Sequence, residues 1–363
     1  MKAALHFVCS LEFWRMALFW TIALILSYLQ LLKRRVFSPR TGSPSCRIRS
    51  STGSLRPICV ITGATSGIGK AAAFALSREG FYVVLVGRSS HSASQTLSEI
   101  KNQNKDAHLK AFEVDMSSFP SILKFRNSLQ QWLSDSNMHP SIQLLVNNAG
   151  ILAMSSRLTT EGYDEMIATN YIGAFFFTKL LLPLLKTSPV PARVVNVTSF
   201  THRYAFAKRF DKETVTGVSF LRSKQYPCAQ IYEYSKLCLL LFTCELHRQL
   251  RLTDDSLHIS VVAADPGSVK TNIMREVPRH LALMAFCILK LVRMLQSPED
   301  GVKSIIDAAL APPGTSGRYF FGGNGRTIDS SVISRDPKLA EELWNTSCDI
   351  LHDSQFAAKE TNA

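Results

Sequence analysis

Two residues four positions apart, Tyr232 and Lys236, carry the clearest chemistry in the chain. On a helix that spacing puts both side chains on one face, one turn apart. A neutral phenol with a pKa of about 10 exchanges protons poorly at neutral pH, but an ammonium on the same face favours the phenolate and is expected to lower that value. Such a pair suits acid–base work at a carbonyl or alcohol. Tyr234 is out of register with Lys236. Tyr-x-x-x-Lys also arises by chance, as a core tyrosine beside a solvated lysine, so the rest of the chain must supply its context.

That context begins at Pro57 to Leu76, PICVITGATSGIGKAAAFAL. Ile58, Val60 and Ile61 read as a central parallel strand, and Lys70 to Leu76 has helix-forming composition. Between them lie Gly63, Thr65, Ser66, Gly67, Ile68 and Gly69. Gly63 allows a sharp turn, Gly67 removes a Cβ that would hold a diphosphate off the backbone, and Gly69 is expected to let the helix approach the sheet. The N–H groups at the helix start then face an anion. A second strand, Phe81 to Val86, ends in Gly87-Arg88-Ser89-Ser90 with no carboxylate to take a ribose 2′-hydroxyl. Arg88 can instead hold a 2′-phosphate with its two-pronged fork. The expected cofactor is therefore NADP (NADPH) in preference to NAD.

The remaining elements place the other candidates. A helix near Ser92 to Asn102 leads to a strand from Leu109 to Val114, which ends at Asp115 on the side where an adenine would lie. After a helix from Pro120 to Trp132, the strand Ile142 to Val146 runs into Asn147-Asn148-Ala149-Gly150. The amides there can tie neighbouring loops together, and Gly150 permits close approach of a cofactor. Asn170 sits within an apolar helix from Gly162 to Leu185 and must find partners; from the residue alone, capping of a nearby backbone group is the simplest account. The strand Pro191 to Thr198 ends at Ser199, and the helix bearing Tyr232 continues to Leu250. A sixth strand, His258 to Ala263, leads to Pro266 and Gly267, which make a turn, and to Thr271, whose hydroxyl suits a carboxamide. The apolar stretch Val277 to Leu295 reads as a lid, a membrane-resting helix or core. A helix over Gly301 to Leu310, a strand over Arg318 to Phe321 and a surface helix from Pro337 to Asp353 follow. This alternation predicts an α/β fold with a doubly wound, Rossmann-type parallel sheet and ligands at the carboxyl ends of its strands. One catalytic domain is expected over 57–330, with a leader over 1–56 and a tail over 331–363.

Charge is unevenly spread. Of the net +13, +8 falls in residues 1 to 60, and the rest of the chain shows no basic, aromatic-interleaved stripe, which argues against nucleic acid. The eight cysteines form no C-x-x-C pair and no cluster at metal spacing, so no metal is expected and a reducing compartment is. Met16 to Leu32 is uncharged and just long enough to span a bilayer, with Trp14, Trp20 and Tyr28 as interface anchors, although Trp20 would lie inside the span. Lys33, Arg34, Arg35 and Arg40 follow it, which puts the body in the cytosol, with the endoplasmic reticulum as the expected membrane. Residues 13 to 78 lack Asp and Glu, so a cleaved transit peptide, leading to a plastid envelope or another organelle, is the alternative.

Taken together, T-G-A-T-S-G-I-G at 62–69, N-N-A-G at 147–150, Asn170, Ser199, Y-E-Y-S-K at 232–236 and P-G at 266–267 resemble the short-chain dehydrogenase/reductase family over about 57–322. The S-P-E-D-G, S-G-R-Y-F-F and E-E-L-W-N-T-S-C segments are similar to its retinol dehydrogenase and WW-domain oxidoreductase branch. The resemblance implies that Tyr232 is the proton donor or base, that Lys236 lowers its pKa and holds the nicotinamide ribose, that Ser199 binds the substrate oxygen and that Asn170 holds a relay water. It implies hydride transfer to or from a lipophilic alcohol, aldehyde or ketone. A homodimer is compatible with it. A regulatory nucleotide-binding protein with little turnover is the competing class. Thr198 stands where a second serine is usual, and the 33-residue step from Ser199 to Tyr232 departs from the family pattern.

Overall fold

The computed structural model describes residues 11–37, 56–253 and 259–360. The basic linker, the first ten residues and the expected start of the sixth strand at His258 lie outside the described residues. A seven-stranded parallel sheet runs in the order β3-β2-β1-β4-β5-β6-β9. The strands are β1 (Ile58–Thr62), β2 (Tyr82–Gly87), β3 (His108–Glu113), β4 (Leu144–Asn147), β5 (Ala192–Val197), β6 (Ile259–Asp265) and β9 (Tyr319–Phe321). Strands β1, β4, β5 and β6 are buried at every residue, as predominantly apolar strands are when helices cover both faces of a sheet. The small pair β7 (Ser268–Val269) and β8 (Leu295–Gln296) stands apart.

Twelve helices are described among these residues, and their apolar stripes decide which face they cover. The first is the leader helix α1 (Leu11–Phe37). Helices α2 (Gly67–Arg78) and α3 (Ser90–Gln103) pack with α10 (Pro298–Gly301) and α11 (Lys303–Leu310) on one face. The other face carries α4 (Phe119–Asp135), α5 (Glu165–Ile167), α6 (Gly173–Lys186), α7 (Lys212–Val215) and α8 (Cys228–Thr253). Phe125 and Phe177 stack there at 4.9 Å, joining α4 to α6. Helix α9 (Arg279–Leu291) keeps Leu283, Met284, Ile288 and Leu291 exposed and buries only Leu281 and Ala282.

Two expectations need correction. The helix drawn from Gly162 to Leu185 begins at Glu165, capped by the Asp164 carboxylate on the Met166 and Ile167 N–H groups at 3.0 Å each, and widens into a π turn at Ala168–Ile172. The tail helix, α12 (Pro337–Glu360), is a surface element on one side only. Leu343, Ser347 and Ile350 are buried against α8, and Trp344 stacks on Phe242.

Candidate active site

Strand order reverses between β1 and β4, and the crevice beyond their carboxyl ends is where a doubly wound sheet takes its ligands. Gly63 and Gly67 have φ of 64° and 51°, a region that favours glycine. A Cβ at Gly63 would stand 2.9 Å from Ala149 Cα, and one at Gly67 would stand 3.2 Å from Thr271 Cγ2. Gly69 brings the start of α2 close to the end of β1. A Cβ there would overlap the Gly63 carbonyl and the Asn148 amide, so this glycine closes the turn on its own loop. Ser66 precedes α2 without a side-chain capping bond, and the first turn holds no acid. The leading N–H groups of α2 are thus left for an anion. A dinucleotide's diphosphate fits this cradle. Thr65 packs under Gly87, and the Ile68 side chain packs into the core, so both support the turn.

Asn148 stitches the next loop to this turn. Its Nδ2 donates to the Thr62 and Gly63 carbonyls at 2.9 and 3.2 Å, and the Thr62 hydroxyl accepts from the N–H groups of Asn148 and Ala149, both at 3.0 Å. Asn147 turns inward, to Thr178 and Asn196. Arg88 leaves β2 half-exposed, with Nη1 3.6 Å from Glu165. That single long contact leaves most of its five donors uncommitted. Asp115 accepts from the N–H and hydroxyl of Ser117 at 2.9 and 2.7 Å, shaping the loop beyond β3.

Helix α8 delivers the other half of the site. The Ser199 hydroxyl, just past the end of β5, lies beside the Tyr232 phenol and pulls its pKa down. Lys236 Nζ donates to the Val197 carbonyl at 3.2 Å and lies 5.6 Å from the Tyr232 ring centre. A Cβ on Gly150 would come within 3.3 Å of Asn170 Oδ1 and 3.5 Å of Lys236 Nζ, so this glycine makes room for catalytic-side residues as well as for any cofactor. Asn170, in the π turn, accepts from Ile151 N–H at 2.8 Å and donates to the Ile151 carbonyl and the Ser235 hydroxyl at 3.0 and 3.1 Å. Its amide thus ties the loop after β4 to α8.

The electrostatics run against the simplest expectation. Burial raises the Tyr232 phenol above its ordinary value, and the Asp265 charge pushes the same way, while the bond to Ser199 offsets part of this. Burial also lowers Lys236 to about 8, against the opposing pull of Asp265. Both groups are buried, and desolvation, which penalises the charged form, is the largest cause of each shift. Asp265 is itself raised to about 6 by burial, although Tyr319 OH and Gly267 N–H donate to it at 2.5 and 2.7 Å. Gly267 turns at φ 73°, and the Pro266 carbonyl accepts from Gln296 Nε2 at 3.0 Å. Thr271 faces Gly67 and caps Ile273 N–H.

Asp265, Gln296 and Glu233 were not singled out from the sequence for a place in this site. Two of them lay in plain view inside motifs: Asp265 precedes Pro266-Gly267, and Glu233 follows Tyr232. His202 is buried, its Nδ1 2.6 Å from the Ser199 carbonyl and its Nε2 accepting from Ser331 N–H at 3.1 Å.

A parallel doubly wound sheet with a glycine turn at its switch point and a Ser-Tyr-Lys set beside it defines a nicotinamide-dependent oxidoreductase of alcohols and carbonyls. The short chain dehydrogenase pattern matches residues 57–210, and the chain belongs to that family. Human polyprenol dehydrogenase is 31% identical over 300 residues, covering 81% of this chain and 84% of its own. Mouse retinol dehydrogenase 12 is 32% identical over 296 residues, covering 81% and 86%. A crystal structure of an uncharacterised Mycobacterium paratuberculosis protein superposes with a TM-score of 0.59 at 27% identity, covering 82% of this chain and 94% of that one.

Proposed function

We propose that this protein is a membrane-anchored, NADP(H)-dependent oxidoreductase that exchanges a hydride with a lipophilic alcohol, aldehyde or ketone. The observation that carries the reading is the placement of Tyr232 beside Ser199 and buried Lys236, whose Nζ lies 5.6 Å from the Tyr232 ring and 3.5 Å from where a Cβ on Gly150 would stand, with Asn148 tying that loop to the glycine turn. Arg88, beside that turn and with no competing acid on its own loop, supports the 2′-phosphate of NADP over the bare ribose of NAD. The cofactor, when bound, supplies or takes the hydride. The glycine turn and the α2 N-terminus would hold its diphosphate, and Thr271 and the Pro266-Gly267 turn would contact its nicotinamide half.

In reduction, the Tyr232 phenol donates its proton to the substrate oxygen as negative charge develops there, and the Ser199 hydroxyl donates a second hydrogen bond. An alkoxide is a far stronger base than a phenolate, so even a phenol with a raised pKa gives up its proton readily. Lys236, with its ammonium fixed on Val197, favours the phenolate left behind. Asn170 fixes the loop after β4 through Ile151 and braces α8 through Ser235.

The lipophilic class is supported by the two dehydrogenases of long isoprenoid alcohols named above. Membrane contact is supported by α1, whose outward stripe exposes Trp14, Leu18, Leu29 and Leu32. The second long apolar helical segment, Glu165–Lys186, is mostly buried and belongs to the core. The test is NADPH consumption by the full-length protein in detergent, across a panel running from benzaldehyde to retinal and isoprenoid aldehydes. Preference for the long members supports the assignment; turnover of none, with NADPH bound, points to a regulatory nucleotide-binding protein.

A further inference from the structure

A bilayer-spanning helix surrounded by lipid has no use for polar contacts along its length, yet α1 makes them from end to end. Glu12 accepts from Ala229 N–H at the start of α8 at 3.2 Å. Arg15 Nη2 and Trp20 Nε1 donate to Glu233 at 2.6 and 2.8 Å. Ser27 accepts from Arg203 Nε at 3.1 Å, and the Tyr28 hydroxyl takes Gln296 Nε2 at 3.2 Å from the same amide that holds the Pro266 carbonyl. Met16, Ala23 and Leu24 are buried between these points and Leu31 just beyond them, on the same helical stripe. Leu31 lies over Gly322, where a Cβ would come within 2.8 Å of it.

The inner stripe crosses the catalytic mouth. The Trp20 ring sits 5.6 Å from the Tyr232 ring at 44°, and Phe19 stacks on Tyr204 at 4.7 Å, beyond Ser199 on the same loop. Glu233 is the pivot. Its side chain is 1% exposed, and its hydrogen-bonding partners among the described residues, Arg15 and Trp20, both come from α1. A buried carboxylate without a partner is strongly unfavourable, so α8 is built to have α1 against it.

We propose that α1 is a working wall of the catalytic site: Glu233 clamps Arg15 and Trp20 to α8, and the Trp20 indole so held closes the substrate side of Tyr232. This rests on the reading of Tyr232 as the group that faces substrate. Trp20 is therefore a specificity residue rather than an interface anchor, and Arg15 and Glu233 are positioning residues that act through it. A long apolar substrate runs along the indole, whereas a small aldehyde reaches Tyr232 without using it.

The test uses the full-length chain in phospholipid nanodiscs with NADPH, and retinal and benzaldehyde as probes. Trp20→Ala is expected to lower the retinal-to-benzaldehyde ratio of kcat/KM about tenfold, the scale of one lost aromatic contact, mainly through the KM for retinal. Arg15→Ala is expected to shift it in the same direction, and the double variant to be no worse than Trp20→Ala alone, because both act through one side chain. An unchanged ratio in Trp20→Ala, or additive losses in the double variant, overturns the proposal. Docking is read separately from turnover by Trp20→p-benzoylphenylalanine. Irradiation should link position 20 to the peptide containing Tyr232, and the link should weaken in Glu233→Gln. Links to lipid alone refute the wall. A link to α8 in a protein that reduces neither aldehyde keeps the docking and removes the substrate reading.

Discussion

His202 lets acid stability be calculated from a single ring. Its Nε2 accepts from the Ser331 N–H, so the hydrogen must sit on Nδ1, which donates to the Ser199 carbonyl. A second proton would have to enter on Nε2, against a backbone donor, in a fully buried pocket. Burial accordingly lowers His202 from 6.5 to about 3, with nearby Arg203 adding to the effect and the Ser199 carbonyl opposing it. The folded state then binds fewer protons than the unfolded one below pH 6.5. Stability from this ring is complete above 6.5 and is lost as the pH falls toward 3. Between pH 7 and pH 5 about 1.5 units of that window are crossed, which corresponds to roughly 2 kcal/mol. The assay is chemical unfolding in detergent at both pH values for the wild type and His202→Gln, whose amide can keep one of the two bonds. The variant should be less stable at pH 7 but should lose about 2 kcal/mol less on going to pH 5. An identical pH dependence in the two proteins would refute the buried neutral imidazole.

Three further outcomes follow from the same geometry. Arg88→Ala should weaken NADP binding about 10- to 100-fold, the scale of one charge-assisted hydrogen bond, and change NAD binding little; equal losses measured by calorimetry would remove the 2′-phosphate assignment. Gly69→Ala should lower stability by about 1–3 kcal/mol and cut dinucleotide affinity, because its Cβ would overlap the Gly63 carbonyl. With the Tyr232 phenol raised by burial, alcohol oxidation, which needs the phenolate, should keep accelerating from pH 7 through 9, whereas a plateau near neutrality would show a lowered pKa.

The strands and the glycine turn were legible because they depend on local pattern: β1, β4, β5 and β6 are predominantly apolar, and the positive φ at Gly63 and Gly67 favours glycine. Tyr232 and Lys236 were legible for the same reason, since one helix fixes their relation. The tie between neighbouring loops also followed from the side-chain amide of Asn148. What escaped was everything set by contacts across long stretches of sequence. Periodicity marks α1 as apolar but is silent on Glu233, more than two hundred residues away, which turns Trp20 toward the site. The π turn at Asn170 leaves no mark in composition. The sign of the Tyr232 shift depends on how completely the pair is buried, and a spacing of four residues cannot report that.

The central claim is that the Tyr232 phenol is the proton donor beside a bound nicotinamide. The most direct measurement is NADPH consumption with retinal by the wild type and Tyr232→Phe, alongside NADPH binding to each. The account predicts that Tyr232→Phe loses at least about 100-fold in kcat while binding NADPH as before. Wild-type turnover in Tyr232→Phe would contradict it.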